Sequence, residues 1–317
     1  MPEAFIQFPG VILAIGKLLL IALVGFALSR RGMLTPVIIR RMTRFLIWIA
    51  LPTLILSRVT ETFNPQAFPR WWLLPLSALL MSVLGFGIGF AAQSPFAFTA
   101  RREFTASCAF QNCGYVPMSL IAFMSTGRVE EQLLTCIFLF LIGFNIGLWF
   151  FLPAYLSQPG SRASLSLSIV NVPFLAYVVA FGTTFITGPG WIPGKIVAVL
   201  RVIGNTSFPL SLIILGASLA ATRGYTVKNW LPLAASVVTK LLVFPLLVLG
   251  VLFFIPVAGL DRFIIFLEAT MPVAVTILLI GEYRGADNAF ISGSILYSHL
   301  ASMVTIPAWM YVYSRVF

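Results

Sequence analysis

The sequence predicts an all-α polytopic membrane protein, with ten transmembrane helices in two inverted five-helix repeats and with helices four and nine broken. Three observations predict this. The 317-residue chain is 60% hydrophobic and 9% charged, with a mean hydropathy of +1.02. Several of its apolar stretches reach the ~20 residues that a helix needs to cross a bilayer. Prolines recur in register between its two halves.

By hydropathy the spans run over 10–30, 37–59, 70–93, 102–125, 131–154, 168–187, 195–221, 229–255, 261–283 and 289–313. The segment before the first span is short and acidic, and no cleavable leader is expected from it. Between spans one and two lie Arg30, Arg31, Arg40, Arg41 and Arg44. Placing this connection in the cytoplasm gathers most basic residues inside and puts both termini outside. The net charge of +11 is thereby read as a topology signal rather than a nucleic-acid-binding surface. Trp71, Trp72, Trp191, Trp230 and Trp309 read as interface anchors.

The repeat rests on the prolines. Pro52 matches Pro209 and Pro75 matches Pro232 at one and the same interval, and Trp72-Leu73-Leu74-Pro75-Leu76 resembles Trp230-Leu231-Pro232-Leu233. Pro117 matches Pro272, and Pro153-Ala154-Tyr155 matches Pro307-Ala308-Trp309, at nearly that interval. Five spans per half is an odd number, so the second half enters the membrane from the opposite side. The halves are 1–156 and 168–317, joined by a polar cytoplasmic linker over 157–167. Inverted repeats of this kind place substrate near the bilayer midplane, between discontinuous helices.

The stretch Gln111-Asn112-Cys113-Gly114-Tyr115-Val116-Pro117 interrupts the fourth span with amides, a glycine and a proline. Pro117 deprives the Cys113 carbonyl of a helical partner, and Gly114 lets the backbone leave helical geometry. Such a break persists in a membrane only where protein or a water-filled cavity receives the freed groups. Glu268-Ala269-Thr270-Met271-Pro272 is the second break, in span nine. An acid at membrane depth is a functional candidate by default. Glu268 is expected to bind a cation or exchange a proton, and the structural alternative is an ion pair with Lys240 or Lys17. Lys240, deep in span eight, is a candidate for charge balance or ion coupling. His299, the chain's one histidine, is a candidate proton carrier. Asn145 and Asn205 are read as buried amides, and Gly85-x-Gly87-x-Gly89 as a close helix contact. The amide of Asn112 can donate to a carboxylate or accept from a cation-bound water. Cys108, Cys113 and Cys136 read as small core residues, with neither disulfide framework nor metal-ligand spacing.

These residues resemble the auxin efflux carrier family. The resemblance is carried by Phe110 to Pro117, by Pro209-Leu210-x-Leu212-x-x-Leu215-Gly216-Ala217-Ser218-Leu219, by Arg31-Gly32-Met33-Leu34 and by Leu51-Pro52, and it extends over essentially the whole chain. It implies a scaffold domain and a transport domain, helices four and nine crossing at Pro117 and Pro272, and an elevator motion, on a fold shared with bile acid–sodium symporters. It implies an organic anion as cargo, such as malate, malonate or an auxin-like weak acid. It also places Asn112 on the substrate carboxylate and Glu268 at a sodium site. The acid–lysine pair that plant carriers hold in helix three has no counterpart between Trp72 and Phe90.

The resulting expectation is a secondary transporter of a small organic anion, not an enzyme, in a bacterial inner membrane. Asn112, Cys113, Gly114, Tyr115, Pro117, Thr270, Pro272 and Asn145 are its candidate substrate residues. Glu268, His299 and Lys240 are its coupling candidates, with a sodium ion at Glu268 and Thr270, or a proton, as coupling ion. No cofactor, resident metal or nucleic acid is expected, and a homodimer is the expected assembly, as in many relatives of this fold. A membrane sensor that binds its ligand without moving it is the alternative. A cation–proton antiporter ranks lower, because no acid lies between Leu133 and Leu152. An intramembrane enzyme ranks lowest, because no catalytic constellation lies at membrane depth.

Overall fold

A computed structural model describes residues 8–66, 68–157, 172–221, 230–257 and 259–317. The linker beyond Ser157, with Arg162, and the connection holding Arg223 and Lys228 lie outside these residues. Everything regular among the described residues is helical, save one isolated β-bridge. Among the described residues, seven helices are long and apolar enough to cross a membrane: Gly10–Arg30, Pro36–Thr62, Leu73–Ala92, Arg128–Leu156, Gly194–Ala220, Trp230–Phe254 and Asn288–Val316. The other expected spans are the shorter helix Val172–Thr187 and two segments that are interrupted midway.

In chain order, α1 is Phe8–Arg30, α2 Pro36–Phe45, α3 Leu51–Thr62 and α4 Leu73–Ala92. The first interrupted segment is α5, Arg101–Ala109, with α6, Tyr115–Met124. Then follow α7, Arg128–Ile146, α8, Leu152–Leu156, and α9, Val172–Thr187. After them come α10, Gly194–Asn205, α11, Ser207–Ala221, α12, Trp230–Val238, and α13, Phe244–Phe254. The second interrupted segment is α14, Gly259–Ala269, with α15, Thr276–Arg284, and α16 is Asn288–Val316.

Local chemistry explains the joints. Thr35 caps α2 by accepting from the Ile38 amide, with Pro36 in the first turn. Single π-helical turns, Leu46–Ala50, Gly147–Phe151 and Thr239–Val243, join α2 to α3, α7 to α8 and α12 to α13. Each is followed by a proline one residue into the next helix: Pro52, Pro153 and Pro245. Proline has no N–H for the carbonyl four residues back, and the widened turn accommodates that gap. At Pro245 the abandoned carbonyl belongs to Leu241, and the Trp309 indole donates to it at 2.7 Å. The break between α10 and α11 has the same cause, since Pro209 cannot pair with the Asn205 carbonyl. Asn205 itself is exposed at this break, not the buried amide expected.

The helices pack in two sets that also touch each other, α6 and α16 against α1 and α7 against α3. In one, α1 lies along α11 and α3 along α9 and α10. In the other, α4 packs on α5 and α7, α14 on α4, α7 and α13, and α16 on α12, α5 and α15. Glycines set the closest approaches. A Cβ on Gly25 would sit 2.1 Å from the Ile213 carbonyl oxygen, and one on Gly216 1.8 Å from that of Ala22, so α1 and α11 touch backbone to backbone. Gly143 does the same for α7 against Pro75 of α4. Of the expected glycine run, Gly85 and Gly89 face α5, whereas Gly87 faces open space. In the apolar stretch of the Arg128–Leu156 helix 78% of the residues are buried, against 28–56% in those of the other spanning-length helices, so this helix is the most enclosed of them. Leu20, Val83, Phe90, Ile186 and Phe254 stand out from the surface, as lipid-facing side chains do.

Candidate functional site: the crossing of two interrupted helices

Helix α5 ends at Ala109 because Phe110 turns extended, at φ −114° and ψ 116°. The second interrupted segment opens after Ala269, and its chain stays non-helical to Val275. The two open stretches meet as an antiparallel bridge between Gln111 and Val273. Asn112 N–H donates to the Pro272 carbonyl at 2.7 Å, and Ala274 N–H to the Phe110 carbonyl at 3.0 Å. Backbone groups released by each break are thus satisfied by the other, as a buried polar backbone requires.

The break falls where the sequence places it, but for a different reason. Pro117 lies in the first turn of α6, where an amide has no intrahelical partner to lose, so it starts the second half-helix rather than disrupting one. Gly114 has φ −105°, a conformation open to any residue, and its left-handed freedom goes unused. The amides of Gln111 and Asn112, which pair outside their own helix, are the effective interruption.

Helix α16 holds both stretches. The Ser298 hydroxyl accepts from the Val273 amide at 3.1 Å and donates to the Ile295 carbonyl. Next to it, His299 Nδ1 lies 2.8 Å from the Ile295 carbonyl, and Nε2 lies 3.2 Å from the Asn112 side-chain nitrogen. A carbonyl demands a donor, so the proton sits on Nδ1, and Nε2 accepts from the Asn112 amide. In this arrangement His299 positions Asn112. Serine and histidine, side by side on one helix, pin one crossing stretch each.

Glu268 is fully buried in the last turn of α14, and neither carboxylate oxygen has a hydrogen-bond partner. It forms no ion pair with Lys240 or Lys17, contrary to the structural alternative. Lys17 is exposed, with its ammonium 5.5 Å from the centre of the Phe123 ring. Lys240 is also fully buried, and donates to the Cys108 carbonyl and to Gln111 Oε1, each at 3.1 Å. An ionised carboxylate buried without a partner is costly, so Glu268 calls for a proton or a cation.

The remaining candidates are placed as follows. Cys113 and Thr270 are buried in the crossing, and the Thr270 hydroxyl donates to the Leu267 carbonyl. Tyr115 packs against Leu46, Ala50 and Ile214, at the boundary with the other helix group. Asn145 is engaged within its own helix, donating to the Leu141 carbonyl and accepting from the Trp149 indole. Sequence reasoning missed Gln111 and Ser298 as individual contributors. Both adjoin residues that it singled out, and an amide or hydroxyl beside a break is the signal that finds them.

The sequence model of a family described as Membrane transport protein matches residues 11–162 and 162–310. No curated protein matches the chain. The two matched segments run nearly end to end and contain both interrupted helices, one in each. With its apolar helices of spanning length, the chain is an integral membrane protein that belongs to the membrane transport protein family.

Proposed function

We propose that the chain is a secondary transporter of a small organic anion, a carboxylate such as malate or malonate or an auxin-like weak acid, with its site at the crossing. The observation that carries this is the Asn112 amide, positioned by His299 beside the bridge and close in the chain to the start of α6. Helix starts favour negative charge, and a side-chain amide adds a directed donor. Thus Asn112 and the backbone of Cys113, Gly114 and Tyr115 bind the carboxylate, with Pro117 and Pro272 shaping the two stretches. Glu268, with Thr270, takes the coupling ion, a proton or sodium.

In this reading the chain crosses the membrane ten times, as inverted halves 1–156 and 168–317 joined by 157–167, with both termini outside a bacterial inner membrane. Alternating access comes from an elevator motion. The group holding α4 to α8 and α12 to α16 moves against α1 to α3 and α9 to α11. The close backbone contacts of Gly25 and Gly216 within the second group support that division. A homodimer is the proposed assembly.

The test is counterflow of labelled malate, malonate and indole-acetate in proteoliposomes, with and without sodium or proton gradients. The reading expects counterflow of at least one anion, and a gradient response that is lost in Glu268→Gln. Binding of an anion without counterflow would replace the transporter with a sensor.

A further inference from the structure

The proposed function leaves one strongly placed group without a role. Lys240 is fully buried, near the midpoint of the apolar helix Trp230–Phe254. It lies in the π-helical turn ahead of Pro245. Its ammonium makes two hydrogen bonds, to the Cys108 carbonyl and Gln111 Oε1, and sits 4.2 Å from the centre of the Phe244 ring. Among the described residues it has no carboxylate within 4.0 Å.

The Cys108 carbonyl is available because of the break. In a continuous helix it would accept from the Asn112 amide, which here goes to Pro272 instead. It points from the C-terminal end of α5, where the helix dipole favours a positive charge. A carbonyl oxygen, an amide oxygen and an aromatic face form a cation site in chemical terms, since such groups replace the hydration shell of an alkali or ammonium ion. We propose that Lys240 is a tethered cation. Its ammonium fills this site and brings to the crossing the positive charge that a free monovalent cation would otherwise supply.

Two consequences follow. With two N–H groups donated to the chain and the ring beside it, the ammonium positions Gln111 and the end of α5 rather than touching the substrate. Its charge then acts on an anion at the crossing through the field alone. This deepens the proposed function and rests on it for the word substrate, but the cation site itself does not depend on transport.

The test vacates the site. Lys240→Ala removes a propylammonium-sized piece of the side chain, so propylammonium chloride is the probe and choline chloride at equal concentration the reference. Thermal unfolding of purified protein in detergent is the readout. Lys240→Ala is expected to unfold about 3 °C or more higher in propylammonium than in choline. Wild type, whose site is filled, and Lys240→Met, whose hole is blocked by an uncharged chain, are expected to show no such difference. Equal midpoints for Lys240→Ala in both salts, or the same rise in wild type or Lys240→Met, would overturn the proposal. Should Lys240→Ala misfold, Lys240→Ala/Glu268→Gln also removes the buried carboxyl; a higher midpoint in propylammonium then supports the proposal and equal midpoints overturn it. A variant that answers to propylammonium while wild type shows no counterflow overturns the transport reading and leaves the tethered cation standing.

Discussion

Ser298 gives the sharpest prediction about how the crossing is held. Its hydroxyl is the acceptor of the Val273 amide at 3.1 Å, and both residues are fully buried. Ser298→Ala leaves that N–H without a partner and without water. An orphaned buried donor costs about 1–3 kcal/mol, and measured side-chain bonds within membranes fall toward the lower end, so about 1–2 kcal/mol is expected. Ser302→Ala is the matched control on the same helix, because its hydroxyl only donates to the His299 carbonyl. For a chain of this size the difference corresponds to an unfolding midpoint about 2–5 °C lower for Ser298→Ala than for Ser302→Ala. Hydrogen exchange of a peptide spanning Val273 should quicken in Ser298→Ala alone. Equal midpoints and equal exchange in the two variants would refute the claim that α16 clamps the second stretch.

Three further predictions use the same kind of measurement. Glu268→Gln breaks no hydrogen bond and replaces a buried carboxyl with a neutral amide of the same shape, so its midpoint should not fall below that of wild type; a drop of several degrees would reveal a partner for the carboxylate. Gly143→Ala puts a Cβ 1.9 Å from the Pro75 carbonyl oxygen, which is backbone and cannot swing aside; a loss of about 1–3 kcal/mol or more is expected, against no loss for Gly87→Ala, where the space is open. Trp309→Phe strands the Leu241 carbonyl that Pro245 cannot serve, and should cost about 1 kcal/mol by thermal unfolding.

The places where the helices break are legible because polar residues conflict with their surroundings there. Gln111 and Asn112 sit in an apolar run, and Glu268 to Pro272 in another. The cause of the break is not legible, for a physical reason. A proline inside a helix disrupts it, but one in the first turn does not, and the sequence around Pro117 does not say where the second half-helix begins. Lys240 shows the other limit. Its partners are a backbone carbonyl and a side chain more than a hundred positions away, and the carbonyl is free only because the Asn112 amide pairs elsewhere. Periodicity and hydropathy carry nothing about such a contact. Charge counting suggests Glu268 as the partner, which the geometry replaces with carbonyl and amide oxygens. Asn205 escapes the sequence reading for a similar reason: the break at Pro209 turns it outward.

The central claim is that the crossing at Asn112 is where the anion binds and is moved. Counterflow and equilibrium binding of the same labelled carboxylate, in wild type and in Asn112→Ala, test it most directly. The account predicts that both are lost in the variant, while its helical content and assembly stay as in wild type. Asn112→Ala that binds and exchanges the anion as wild type does would contradict it, and would move the site away from the crossing.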